Sequence, residues 1–151
     1  MRHHELDHSI GFLLGIAERR LIQLFTMRMK QYDLFPEQWA VLHRIRQKDG
    51  MIQKEIGEKS QKDKPTTTRI LDALEAKGFI TKKPGLNDRR SFQVYITDSG
   101  IEAADAIRPI EQKVISDVTN VLSDFEYEQL AAMLTKLGKN AAEWIEKEKE
   151  Q

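Results

Sequence analysis

Apolar residues recur at helical spacing towards both ends of this chain. Ile10, Leu13, Leu14, Ala17, Leu21, Leu24 and Phe25 fall three or four apart and predict a long amphipathic first helix. Tyr32-Asp33-Leu34-Phe35 breaks it. Pro36 suits the first position of a second helix, with Glu37 favourable in its first turn. Trp39, Leu42, His43 and Ile45-Arg46 follow on that helix, and Asp49-Gly50 ends it with a residue suited to the left-handed conformation.

The central pattern changes twice. A short helix is expected over about residues 53–59. Asp63 then offers an N-cap for another helix, with Pro65 near its start and Ile70, Leu71 and Leu74 as its core stripe. Gly78 stops that helix. Phe79-Ile80-Thr81 and Phe92-Gln93-Val94-Tyr95-Ile96 are β-rich, and the turn signals Pro84-Gly85 and Asn87-Asp88 lie between them. Helix, turn, helix, strand, turn and strand in this order predict a helix-turn-helix with a hairpin wing. Thr97 or Asp98 would cap a long helix to about Leu122, and Ser123-Asp124 a last one. In that last helix Leu130, Met133, Leu134, Leu137, Ala141, Trp144 and Ile145 form a clean stripe, and the final Glu-Lys-Glu-Lys-Glu run reads as a frayed, solvated end. The fold class is therefore mostly α (α+β).

A winged helix-turn-helix needs only about half of this chain. The first and last helices must bury their apolar faces elsewhere, either on their own subunit or against a second copy. The second copy is preferred, since two-fold dimers are the commonest oligomer. The expected division is a helical dimerisation region over residues 1–34 and 98–151 and a DNA-binding region over residues 35–97, within one structural domain.

With 151 residues, 40% of them hydrophobic, the chain can form a packed core. It has no cysteine, which excludes disulfides, Cys-ligated metals and a thiol sensor. No apolar leader follows Met1-Arg2-His3-His4-Glu5 and no apolar run approaches bilayer length, so neither secretion nor a membrane is expected and the location is read as cytoplasmic. Net charge is zero, but unevenly spread: +2 over residues 1–52, +4 over 53–90 and −6 over 91–151. A basic centre beside an acidic tail suits a protein that turns one face to phosphates.

Several strings sharpen this reading. They are Pro36-Glu37-Gln38-Trp39-Ala40-Val41-Leu42, Gln53-Lys54-Glu55-Ile56-Gly57, the run from Thr66-Thr67-Thr68-Arg69 to Lys77-Gly78, and Asp88-Arg89-Arg90-Ser91 before Ile96-Thr97. In this order and spacing the chain resembles the MarR family of winged helix-turn-helix regulators over nearly its whole length. The resemblance implies an obligate, triangular homodimer. Its recognition helices would enter consecutive major grooves of a pseudo-palindromic operator and its wings the flanking minor grooves. Such proteins usually repress genes and release double-stranded DNA when a small-molecule effector or oxidant binds. The sequence departs from the family pattern at Phe35 and Ile52, where Thr or Ser often caps a helix, and at Ser60 and Lys62, where the turn is usually apolar.

The residues expected to meet DNA are on two elements. Thr66, Thr67 and Thr68 fall on the first turn of the recognition helix, where hydroxyls can bond base edges and methyls can meet the thymine methyl. Three β-branched residues in a row disfavour a helix, so packing alone explains them poorly. Arg69 could bond guanine or hold a phosphate, Lys62 and Lys64 suit phosphates, and Pro65 fixes the helix start. On the wing tip Asp88 would orient Arg90 towards a minor groove, with Arg89 and Ser91 as further contacts.

Other features point to less. Trp39 and His43 share a helix face; they form either a core pair, the stronger reading, or the wall of an effector pocket for an aromatic acid, as in some family members. His3, His4, His8 and Glu5 do not match metal-site spacing, and no cofactor motif is present. No nucleophile triad, carboxylate pair or Gly-rich nucleotide loop is visible, so an enzyme is not expected. The alternative is a winged-helix module that binds a protein rather than DNA.

Overall fold

The computed structural model describes residues 5–85 and 91–151. It divides into two compact units, Met1–Val114 and Ile115–Gln151. In the first, a single 3₁₀ turn at Leu6–His8 leads into α1 (Ile10–Arg28), α2 (Pro36–Gln47), β1 (Met51–Ile52), α3 (Gln53–Ser60), α4 (Lys64–Ala76), β2 (Ile80–Pro84) and β3 (Phe92–Ile96). The helix α5 (Asp98–Thr119) begins in this unit. The helix α6 (Asp124–Lys149) lies in the second.

The helix starts follow from local chemistry. Ser9 caps α1 by accepting from the Phe12 N–H at 3.4 Å. Phe35 precedes α2 without a hydroxyl to offer. Gln38 supplies the reciprocal half of the cap, its Oε1 accepting from the Phe35 N–H at 3.0 Å. Ile52 likewise has no capping side chain, but β1 pairs it with Gln93 and so fixes the direction of the chain into α3. Ser123 and Glu126 form a complete capping box at α6: the Glu126 N–H donates to Ser123 Oγ at 3.1 Å, and the Ser123 N–H to Glu126 Oε1 at 2.9 Å.

The sheet is antiparallel, in the order β1-β3-β2. Met51 pairs with Val94, and Ile80 with Ile96. Inward residues of this sheet (Met51, Ile80, Val94) join Leu42, Ile56 and Leu71 in one core. The wing is seated on α4 by Lys82, whose Nζ lies 2.6 Å from Asp72 Oδ1. It meets α5 through a close backbone approach at Gly100. A Cβ there would collide with the Phe79 carbonyl oxygen and stand 2.8 Å from Ile96 Cγ1. Thr97 is the α5 cap, accepting from the Gly100 N–H at 3.1 Å while donating to the Gly78 carbonyl at 2.7 Å.

Two expectations are revised. The two-residue strand β1 was not anticipated, because its only signature is its pairing with β3, some forty residues away. The final Glu-Lys run stays helical through Lys149 rather than fraying, with Lys149 Nζ 3.2 Å from Glu146 Oε1. The apolar stripe of α6 is uncovered: Leu137 is 49% exposed, Trp144 56% and Ile145 54%.

Candidate nucleic-acid interface

α3 and α4 make a tight helix-turn-helix. Gln61 adopts φ +56 at the end of α3, and the Lys62 N–H donates back to the Gly57 carbonyl at 2.9 Å. The two helices touch at Gly57. A Cβ on that residue would lie 3.0 Å from Thr67 Oγ1 and 3.2 Å from the Lys62 oxygen, so a larger residue would push the helices apart.

Asp63 caps α4 as the pattern predicts, its Oδ1 accepting from the Thr66 N–H at 2.8 Å. Hydrogen bonds from the Thr66 hydroxyl and backbone hold the Asp63 carboxyl below the ordinary range. This cap orients the positive end of the helix and the side chains of its first turns.

The predicted contact residues separate by helical angle. Lys64, Pro65 and Arg69 are exposed, and Lys62, Thr66 and Thr68 half-buried. Thr67 is the exception and corrects the expectation of three outward hydroxyls. It is 2% exposed, packs on Gly57, and donates to the Asp63 carbonyl at 2.7 Å. It lies on the same helical face as Ile70, Leu71 and Leu74, and consecutive helical residues cannot share one face. Thr68 Oγ1 donates to the Lys64 carbonyl at 2.9 Å and accepts from Gln53 Nε2 at 2.6 Å. Arg69 Nη2 lies 3.0 Å from Glu37 Oε1 on α2, an exposed pair that costs little to open.

A groove of about 710 Å³ runs between the helix-turn-helix and the wing. Lys54, Lys62 and Lys64 give it positive charge, opposed by Glu58, while Ile52 and Phe92 provide apolar walls. Ser91 also lines it, and its carbonyl accepts from the Gly85 N–H at 2.8 Å where the hairpin closes. Asp88, Arg89 and Arg90 lie outside the described residues. Sequence reasoning missed Gln53, Lys54, Ile52 and Phe92 as groove residues. Their only signal was adjacency to the two elements the groove separates.

Trp39 is a core residue. It is 5% exposed, meets Phe25 edge-on at 5.6 Å, stacks on His43 at 5.1 Å, and donates its indole N–H to the Ala104 carbonyl at 3.1 Å. His43 is half-buried. Burial, then the nearby Arg108 and Arg44, hold its pKa below the ordinary value, against weaker opposition from Glu111 and Asp105. Among the described residues no three His, Asp or Glu side chains gather as a metal site requires, and no helix is long and apolar enough to cross a membrane.

A three-stranded wing beside a tight helix-turn-helix with a basic first turn defines the winged helix-turn-helix class of DNA-binding proteins. The MarR family profile matches residues 34–92. The HTH-type transcriptional regulator MhqR of Bacillus subtilis is 29% identical over 143 residues, covering 95% of this chain and 99% of that protein. Among solved structures, a MarR protein from Peptoclostridium difficile superposes with a TM-score of 0.86 at 26% identity, over 97% of this chain and 96% of that one. The S. aureus MepR–DNA complex gives 0.82 at 28% identity, over 87% and 98%. The winged helix-turn-helix of this chain matches the MarR family profile, and nearly the whole chain is similar to MarR-type DNA-binding transcriptional regulators.

Proposed function

We propose that this protein is a cytoplasmic homodimeric repressor that binds a pseudo-palindromic operator and leaves it when a small molecule or other signal arrives. The observation that carries the reading is the exposed start of α4, where Lys64, Pro65 and Arg69 stand beside a lysine-lined groove. Those residues, with Thr66 and Thr68, would face the major groove, and Lys62 the adjoining phosphates. Asp88, Arg89, Arg90 and Ser91 on the wing would serve the minor groove. That MepR was solved with DNA supports the same use of the fold.

Residues 1–34 and 98–151 would form the dimerisation region and residues 35–97 the DNA-binding region. The uncovered apolar faces of α1 (Ile10, Leu13, Leu14) and α6 (Leu130, Leu137, Trp144) support a second copy as their partner. Two-fold symmetry would space the reading helices by roughly 34 Å, one turn of the duplex. An effector would act by preferring a spacing that no longer fits successive grooves, which demands unequal affinity for the two arrangements. His43 is the part of the Trp39–His43 pair open to such a ligand, since the indole N–H is already bonded.

Fluorescence anisotropy on duplexes selected from genomic DNA tests the reading. Affinity should fall steeply with salt, as phosphate contacts require. Arg90→Ala should weaken binding most on sites with an A·T-rich minor groove. Salt-independent binding, or indifference to every duplex at low ionic strength, would refute it.

A further inference from the structure

We propose that Gln53 is a positioning residue of the reading surface, holding the Thr68 hydroxyl, whose proton is committed to the Lys64 carbonyl, as an acceptor aimed at a base. The proposal rests on the assignment of α4 as the DNA-reading helix. A threonine hydroxyl has one proton and two lone pairs. The Thr68 proton goes to the Lys64 carbonyl at 2.9 Å, and the Gln53 amide N–H occupies one lone pair at 2.6 Å. One lone pair remains.

An acceptor in the major groove matches the amino groups of adenine N6 and cytosine N4, and finds no partner in guanine O6 and N7 or thymine O4. The Lys64 bond sets the polarity, but a helical threonine divides between two χ1 rotamers, and without the Gln53 contact the acceptor is free to swing away and discriminates poorly. The aimed acceptor is therefore a specificity device made by two helices together.

The location of Gln53 suits this role. It is the first residue of α3, directly after Ile52, whose pairing with Gln93 fixes the entry of the chain. It is half-buried and lines the groove between helix-turn-helix and wing. The bond is not required to hold α3 against α4, because Gly57 already packs on Thr67 and buried Ile56 and Ile70 belong to the common core.

The test is selection of a randomised duplex library by the full-length protein, comparing wild type, Gln53→Met, Thr68→Val and the double variant. Methionine keeps the length of the side chain but removes the amide. Wild type should favour adenine or cytosine at one position per half-site by about three- to tenfold, the worth of one hydrogen bond. Gln53→Met should erase that preference while keeping the salt slope and the melting temperature. Thr68→Val should erase it too, and the double variant should lose nothing more.

A Gln53→Met profile identical to wild type, with Thr68→Val altered, overturns the positioning role and leaves DNA reading intact. Additive losses in the double variant mean that Gln53 reads a base by itself, which also overturns it. An unchanged profile in Thr68→Val removes Thr68 as a reader and the proposal with it. Failure of wild type to select any duplex brings down the underlying assignment instead.

Discussion

Neighbouring side chains at the start of α4 divide between packing and exposure because successive helical residues are turned about 100° apart. Thr67 and Thr68 are chemically identical neighbours, yet one is buried on Gly57 and the other half-exposed beside Gln53. Ser60, at the end of α3, shows the cost of a polar group in the wrong place. Its hydroxyl is buried with no hydrogen-bond partner among the described residues. Ser60→Ala should stabilise the fold by about 1 kcal/mol, read from the midpoint of urea unfolding, because it removes an unmet desolvation cost and favours the helix. His43 is the titratable counterpart. Its pKa is lowered on folding by burial and by Arg108 and Arg44, so the unfolded chain takes up the proton first. Stability is therefore full above the ordinary value of about 6.5, and falls as pH drops from there towards the lowered folded value. Urea melts across that interval should show the decline, and His43→Phe should flatten it.

At the scale of elements, the parts of the winged helix-turn-helix share one core and are locked further by specific contacts. α3 meets α4 at Gly57, the wing meets α4 through Lys82 and Asp72, and the wing meets α5 at Gly100. Gly100→Ala should destabilise the protein by several kcal/mol, on the order of the largest point-mutant effects, because a backbone carbonyl cannot step aside for a methyl as a side chain can. A thermal melt unchanged by that substitution would show that the approach of α5 to β2 is looser than described. The individual elements were largely legible beforehand. Pro36, Asp63, Gly78 and Ser123 mark helix ends by their own backbone chemistry, which needs no distant partner. β1 was not legible, since two residues carry no periodicity and exist as a strand only by pairing with β3.

At the scale of the molecule, the uneven charge and the uncovered apolar faces point in complementary directions. In our reading the basic centre faces DNA and the terminal helices pack against a partner copy. Truncation before Asp124 should yield a monomer in analytical ultracentrifugation and weaken operator binding sharply, since each half-site would then bind alone. A folded truncate that remained dimeric would refute the proposed interface.

The chain alone settled the order of elements, the caps, the hydrophobic stripes and the family resemblance, because these depend on neighbours within a few residues. Tertiary structure decided that Gln53 grips Thr68, that Arg69 leans on Glu37, and that the Trp39 indole is committed to Ala104. Those outcomes join residues fifteen to sixty-five positions apart. Only packing brings such groups within hydrogen-bonding distance, and local pattern contains no record of it.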